Sequence, residues 1–240
     1  MATAHTNASK AQLAKVVLMP GDPVRANNIA NQFLHDVEVV SDVRGIAIYT
    51  GYTANNKRIS VMASGMGQPS IGIYAYEVYS LGVELIIRLG TAGSFNPDIH
   101  VKDVLIAESS HTRSNFAYQL DRKDVFDCDA DKEAVEVAKE CSKNLVDRHC
   151  IVGTIYTNDA FYGETKRMRD NWAKKGYIGV EMESFALYYT AKKLNKKALT
   201  LLTVSNHFIN NEEDLTQKEK QVSMKNMMTL AIEVAERFAD

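Results

Sequence analysis

A chain of 240 residues, 45% hydrophobic and 24% charged, falls within the range of one large α/β domain that buries an ordinary core. A formal charge of −2 excludes a global field that would draw nucleic acid or an anionic membrane, so an anionic ligand must be held by a few local cations. Three cysteines, Cys128, Cys141 and Cys150, without C-x-x-C spacing exclude a disulfide framework and a thiolate metal site. They suit a reducing compartment. The opening residues lack the apolar core of a signal peptide and no apolar run is long enough to cross a bilayer, so the expectation is a soluble cytoplasmic protein.

In chain order, the first apolar run is "KVVLMP", followed by a helical pattern over 23–34. "GIAIYTGY" and "RISVMASG" read as strands before a second helix at 69–80. "ELIIRLG" and "DVLIAES" follow, then a helix at 131–144 and the strand "CIVGTIY". A helix at 164–174, the strand "YIGVEM", a helix at 184–194 and the strand "ALTLLTV" lead to a last helix over 216–237. That helix starts on "TQKE", with Thr216 as cap and Glu219 at the capping-box position. Runs rich in Val, Ile and Leu without clean alternation suit strands covered on both faces. Strand and helix alternate without linker or repeat. The expectation is a single α/β domain spanning 1–240, with a mixed, mostly parallel sheet and a site where strands end.

Four strand ends carry chemistry. At "MPGDPVRANNIA", Gly21 permits a close turn, Asp22 caps a helix opened by Pro23, and Arg25 lies in its first turn. Free N–H groups there favour an anion, so Gly21 and Arg25 read as a phosphate site or as a capped helix with a surface arginine. Arg88 lies inside the apolar run "ELIIRLGTAG" and needs a carboxylate or a phosphate as partner. Thr91 follows it, with Gly90 and Gly93 read as leaving room for a ligand. In "YIGVEMES", Glu181 and Glu183 would share one face of an extended strand, with Met182 opposite. Paired carboxylates suit the vicinal hydroxyls of a sugar. A metal is the runner-up, but no neighbouring His or Asp completes a ligand set, and His35, His100 and His149 are expected on the surface. The apolar strand before "TVSNHF" should stop at Ser205, Asn206 and His207. Phe161 reads as a base-stacking ring or as core. Phosphate, diol and a terminal polar group together point to a nucleoside and inorganic phosphate in one pocket.

The segments "MPGDPVRANNIA", Asp42-Val43-Arg44-Gly45, "SGMGQPSIGIY", "IIRLGTAG", "GVEMES" and "TVSNH" resemble, in order and spacing, the bacterial hexameric type of purine nucleoside phosphorylase. The resemblance runs from His5 to the C-terminus. It implies one α/β domain around a partly barrel-like sheet, assembled as a trimer of dimers. The implied reaction is reversible phosphorolysis of purine (deoxy)nucleosides, with phosphate as co-substrate and no cofactor or metal.

Carried over residue by residue, the resemblance puts phosphate against Gly21, Arg25, Arg88 and Thr91, with Arg44 from the adjacent subunit. It puts the sugar against Met66, Met182, Glu183 and Glu181, with His5 from that neighbour. The base would meet Ala92, Gly93, Phe161 and Val180, with Ser205 and Asn206 at its imidazole edge. Two positions depart from the family pattern. Asn206 stands where the family has an Asp acid, and Lys220 where it has an assisting Arg, with one extra residue between them. An amide donates a hydrogen bond but delivers no proton. Competing readings are uridine phosphorylase, which carries a longer insertion than 163–176 allows, a water-using nucleosidase, which would not need three arginines, and a nucleoside-binding paralogue.

Overall fold

In the computed structural model, which describes residues 3–145, 149–222 and 224–240, the strands form one ten-stranded mixed sheet. They are β1 (Val16–Pro20), β2 (His35–Val43), β3 (Ile46–Tyr52), β4 (Arg58–Met62), β5 (Leu85–Ser94), β6 (Val104–Thr112), β7 (Asp127–Asp129), β8 (Cys150–Thr157), β9 (Val180–Glu181) and β10 (Lys197–His207). The helices are α1 (Pro23–Phe33), α2 (Gln68–Ser80), α3 (Phe116–Asp121), α4 (Lys132–Ser142), α5 (Lys166–Lys174), α6 (Ser184–Lys193), α7 (Gln217–Val222) and α8 (Lys225–Phe238), with a 3₁₀ turn at Phe161–Gly163.

The strand order is β10-β6-β8-β9-β5-β1-β4-β3-β2, and β10 also pairs with β5. That second pairing closes β10, β6, β8, β9 and β5 into a barrel-like ring, from which β1, β4, β3 and β2 extend. β1 runs parallel to β4 and β5, and β10 runs parallel to β5. Every residue of β1 is buried, as its unbroken apolar run requires of a strand covered on both faces. Val17, Leu18, Ile86, Ile87, Leu199 and Leu201 form the centre of the core, with α2 packed on α6 and α4 on α8 outside it.

Three elements were not anticipated from the pattern: β2, α3 and β7. β2, "HDVEVVSDV", carries four acidic or histidine side chains and lies at the sheet edge, where few positions need be apolar. α3 and β7 are six and three residues long, too short for a periodic signal.

The single helix expected over 216–237 is two, α7 and α8. The capping box forms as read: Thr216 N–H donates to Glu219 Oε2 at 2.9 Å, and Glu219 N–H to Thr216 Oγ1 at 3.2 Å. Near the end of α7, Arg25 Nη2 donates to the Lys220 carbonyl at 2.9 Å.

Candidate active site

The carboxyl ends of β1, β4, β5 and β10 open on the loops that carry the candidate residues. Asp22 caps α1 by accepting from Val24 N–H at 2.8 Å, which places Arg25 in the first turn. Arg25 is buried, which excludes a surface arginine. Its Nη1 donates to the Leu89 carbonyl at 3.2 Å, and Nη2 to that of Lys220. Nε is buried with no hydrogen-bond partner, and no carboxylate among the described residues comes within ion-pair distance of the guanidinium. Burial lowers its pKa to about 10, with Asp22 opposing, so it stays charged at neutral pH. A buried cation with an idle donor at a helix N-terminus is chemically suited to an oxyanion.

Arg88 has carboxylate partners. Its Nε donates to Glu181 Oε2 at 3.0 Å, its Nη2 lies 2.9 Å from the same oxygen, and Nη2 also donates to Glu183 Oε2. The two glutamates converge for a different reason from the one expected. β9 ends at Glu181, and Glu183 is already the N-cap residue of α6. Glu181 therefore reaches the helix start, accepting from the N–H groups of Glu183 and Ser184 and from Thr157 Oγ1. Glu183 Oε1 accepts from Gly67 N–H, at the start of α2. The paired carboxylates outweigh burial and hold the Arg88 pKa above the usual arginine value. Burial pushes the Glu183 carboxyl up, against the pull of Arg88.

The two glycines flanking Thr91 leave room for protein side chains. A Cβ on Gly90 would lie 2.7 Å from Arg88 Nη2 and 2.8 Å from Leu202 Cδ2. A Cβ on Gly93 would lie 2.6 Å from Phe208 Cε2 and 2.9 Å from Asn206 Nδ2. Each absent methyl makes space for the residue that its neighbourhood depends on.

β10 does not stop at Ser205 but continues to His207. Its pairing with β5 shifts register between Val204, opposite Ala92, and Asn206, opposite Gly93, so Ser205 is the extra residue of a bulge. Bulges re-aim side chains beside functional sites. Here the bulge lets Ser205 Oγ donate to Asn206 Oδ1 at 3.1 Å, which leaves the amide nitrogen as the free donor. His207 closes the end of the strand, with Nε2 at 2.9 Å from the Asn96 carbonyl and Nδ1 accepting from Asn210 N–H at 2.8 Å.

The remaining candidates separate by exposure. Ala92 and Val180 are buried, and Thr91 and Met182 are half-buried. Met66 is 82% exposed between Gly65 and Gly67, both with positive φ, and Phe161 is 67% exposed, which excludes a core role. The Lys220 side chain is half-buried on α7. His5 is held within its own chain, with Nδ1 2.6 Å from Glu77 Oε1 on α2. Arg44 is exposed in the β2–β3 turn with φ of 59° and takes no part in the Arg25 or Arg88 networks. His35, His100 and His149 are on the surface as expected. Among the described residues no group of three or more His, Cys, Asp or Glu could hold a metal ion.

Sequence reasoning missed Glu77, Thr157, Gly67 and Phe208, which hold His5, Glu181, Glu183 and the Gly93 edge. Only Phe208 had a signal. It follows directly on the polar end of an apolar strand.

Comparison with known proteins agrees with this geometry. The family model described as phosphorylase superfamily matches residues 15–240. A purine nucleoside phosphorylase DeoD-type of Mycoplasma genitalium is 42% identical over 243 residues, covering 98% of this chain and 99% of the relative. The proteins of the same name from Colwellia psychrerythraea and Bacillus velezensis are each 42% identical, covering 97% and 95% of this chain and 99% and 97% of theirs. Fold, converging strand ends and near full-length identity together show that the chain belongs to the phosphorylase superfamily and, within it, to the DeoD-type purine nucleoside phosphorylases.

Proposed function

We propose that the protein catalyses reversible phosphorolysis of purine ribo- and deoxyribonucleosides, giving free base and pentose 1-phosphate. The observation that carries the reading is Arg25. A buried, charged guanidinium at the N-terminus of α1, with no hydrogen-bond partner at Nε and no ion-paired carboxylate among the described residues, suits a phosphate oxygen. Gly21 and Thr91 would complete the phosphate site, and Arg88 would add charge from the same strand end. Glu183 and Glu181, with Met66 and Met182, would face the sugar. Ala92, Gly93, Phe161 and Val180 would line the base.

In the proposed reaction a phosphate oxygen bonds to C1′ of the sugar as the C1′–N9 bond breaks, and the bonding pair flows into the imidazole ring of the leaving purine. Asn206 Nδ2 stabilises that charge by donating to N7, with Lys220 adding positive charge from α7. Phosphate is the co-substrate, and the reaction calls for no other cofactor. The proposed assembly is a homohexamer, a trimer of dimers, in which His5 and Arg44 of each subunit complete a neighbour's site. The exposed, unengaged Arg44 supports that reading. Free thiols at Cys128, Cys141 and Cys150 suit work in the cytoplasm.

The test is base release from inosine, guanosine, adenosine and uridine, with and without phosphate. Purine release that depends on phosphate and yields pentose 1-phosphate is the expected result. Equal release without phosphate would make the protein a hydrolase, and preferential cleavage of uridine would make it a pyrimidine enzyme.

A further inference from the structure

Phe208 lies at the Gly93 edge of the site, and Arg169, not yet described, braces it from outside. Phe208 follows directly on the bulged end of β10, and its N–H donates to the Ser94 carbonyl at 2.9 Å, which holds it against β5. Its ring edge fills the space beside Gly93. Phe208 Cε2 and Asn206 Nδ2 lie 2.6 and 2.9 Å from the point where a Gly93 Cβ would stand, so ring and amide share one small volume. The ring also packs on a cluster of Phe95, Tyr156, Trp172 and Val180.

From outside, α5 covers the ring. The Arg169 guanidinium carbon lies 4.5 Å from the ring centroid. Arg169 Nη1 lies 4.0 Å from Glu164 Oε2, and Glu164 also accepts from Asn158 Nδ2 at 3.4 Å. The guanidinium thus joins the segment carrying Phe161 to the segment carrying Asn206.

We propose that Arg169 is a positioning residue for the nucleobase, acting through Phe208, whose ring it clamps against Gly93 and the Asn206 amide. The inference rests on the base lying at Asn206, as proposed above. A guanidinium over an aromatic face is attracted by the ring quadrupole and restrains the ring without a covalent or ionic bond. Released, the ring can leave the Gly93 edge, and the amide beside it loses the wall that fixes its direction. Neither Arg169 nor Phe208 hydrogen-bonds Gly21, Arg25, Arg88 or Thr91 among the described residues, so the effect should be confined to the base.

The variants are Arg169→Ala, Arg169→Lys, Phe208→Leu and the double Arg169→Ala/Phe208→Leu. Two readouts are taken: kcat and KM for inosine and for phosphate, and binding of hypoxanthine by equilibrium dialysis. Emission of Trp172, the one tryptophan in the chain, independently reports the ring cluster, because it stacks on Tyr156 at 4.3 Å. Arg169→Ala should weaken hypoxanthine binding and lower kcat/KM for inosine about 5–10-fold, the range of one cation–π contact, and shift Trp172 emission. The KM for phosphate should stay within about twofold. Arg169→Lys should recover part of the loss, because an ammonium also sits over a ring. The double variant should be no worse than Phe208→Leu.

Unchanged base binding and kinetics in Arg169→Ala would overturn the proposal, as would additive effects or an equal rise in phosphate KM. If the wild type binds hypoxanthine but does not phosphorolyse inosine, the proposed reaction fails while the dialysis series still decides the role of Arg169. A wild type that binds no purine overturns both.

Discussion

The two buried arginines of the candidate site have different electrostatic settings. Arg88 is locked between Glu181 and Glu183, and its removal would leave two carboxylates buried without their cation. Arg88→Met should therefore cost about 3–5 kcal/mol in urea unfolding, the usual penalty for breaking a buried ion pair. Arg25 has no ion-pair partner among the described residues, only two backbone carbonyls and the more distant charges of Asp22 and Glu183, so Arg25→Met removes a charge whose burial is weakly compensated. It should cost less than about 1 kcal/mol while raising the KM for phosphate about tenfold or more, as loss of charge-assisted bonds implies. The same urea and kinetic series measures both. Asn206 supports a second prediction at this scale. In the proposed reaction its amide, held by Ser205, would offer N7 a neutral bond, whereas an Asp could transfer a proton whatever the substituent at position 6. Inosine should be cleaved faster than adenosine, and Asn206→Asp should raise kcat/KM for adenosine roughly 10-fold or more, with a smaller gain for inosine. Much of this site was legible because its residues interrupt apolar runs: Arg88, Glu181, Glu183 and Asn206 are polar where packing alone would put Val or Leu. What stayed hidden was the choice of partner. A sequence shows that Arg88 needs a counter-charge; only the turn of the chain into α6 shows that two glutamates provide it.

At the level of elements, the loop from β10 to α7 is fastened to the loop before β6. Glu212 accepts from Val101 N–H at 2.7 Å and sits 2.8 Å from His100 Nδ1. The backbone bond from Val101, helped by His100, lowers the Glu212 pKa from 4.5 to about 2, and the bond to Glu212 raises that of His100 above 6.5. Asp103 and Asp98 also favour the charged imidazole. The Glu212 contribution is present above about pH 4.5 and is lost as pH falls toward 2. The His100 contribution is complete below pH 6.5 and fades as pH rises through its raised value. The fastening is therefore tightest between those limits. Hydrogen exchange over 208–216, corrected for intrinsic rates, should show less protection at about pH 8.5 than at about pH 6, and His100→Gln should abolish the difference. Elements that show as unbroken apolar runs, such as β1 and β5, were readable in the sequence. The split of α7 from α8 was not, nor was the bond that ties the Lys220 carbonyl to Arg25, a residue some two hundred positions away. β2 was missed because acidic side chains break up its four valines, as an edge strand allows.

For the whole molecule, the closed ring of strands sets one rigid frame, and the extension β1-β4-β3-β2 carries Arg44 to its far end. An arginine placed there can serve a site in another copy. If His5 and Arg44 complete a neighbour's pocket, Arg44→Ala and Arg25→Met proteins should each be weakly active alone. Mixed under conditions of subunit exchange, they should regain part of the wild-type rate, because a mixed pair assembles one site free of both lesions. Exchange verified by mass, with no recovery, would assign Arg44 another task.

The extra pairing of β10 with β5 also bears on how the protein behaves at high concentration. A ring has no open margin, so the long strands that hold the site cannot recruit a strand from another molecule. The long margin left for such recruitment is β2, and it is poorly suited to it. Its register slips twice, between His35 and Glu38 and between Val39 and Ser41, and Asp36, Glu38 and Asp42 stud its length with negative charge. The acidic side chains that hid β2 in the sequence are thus what a safe margin requires. Among the described strands the fold leaves β2 as its longest open edge, with β7 a three-residue one, and defends β2 with kinks and charge.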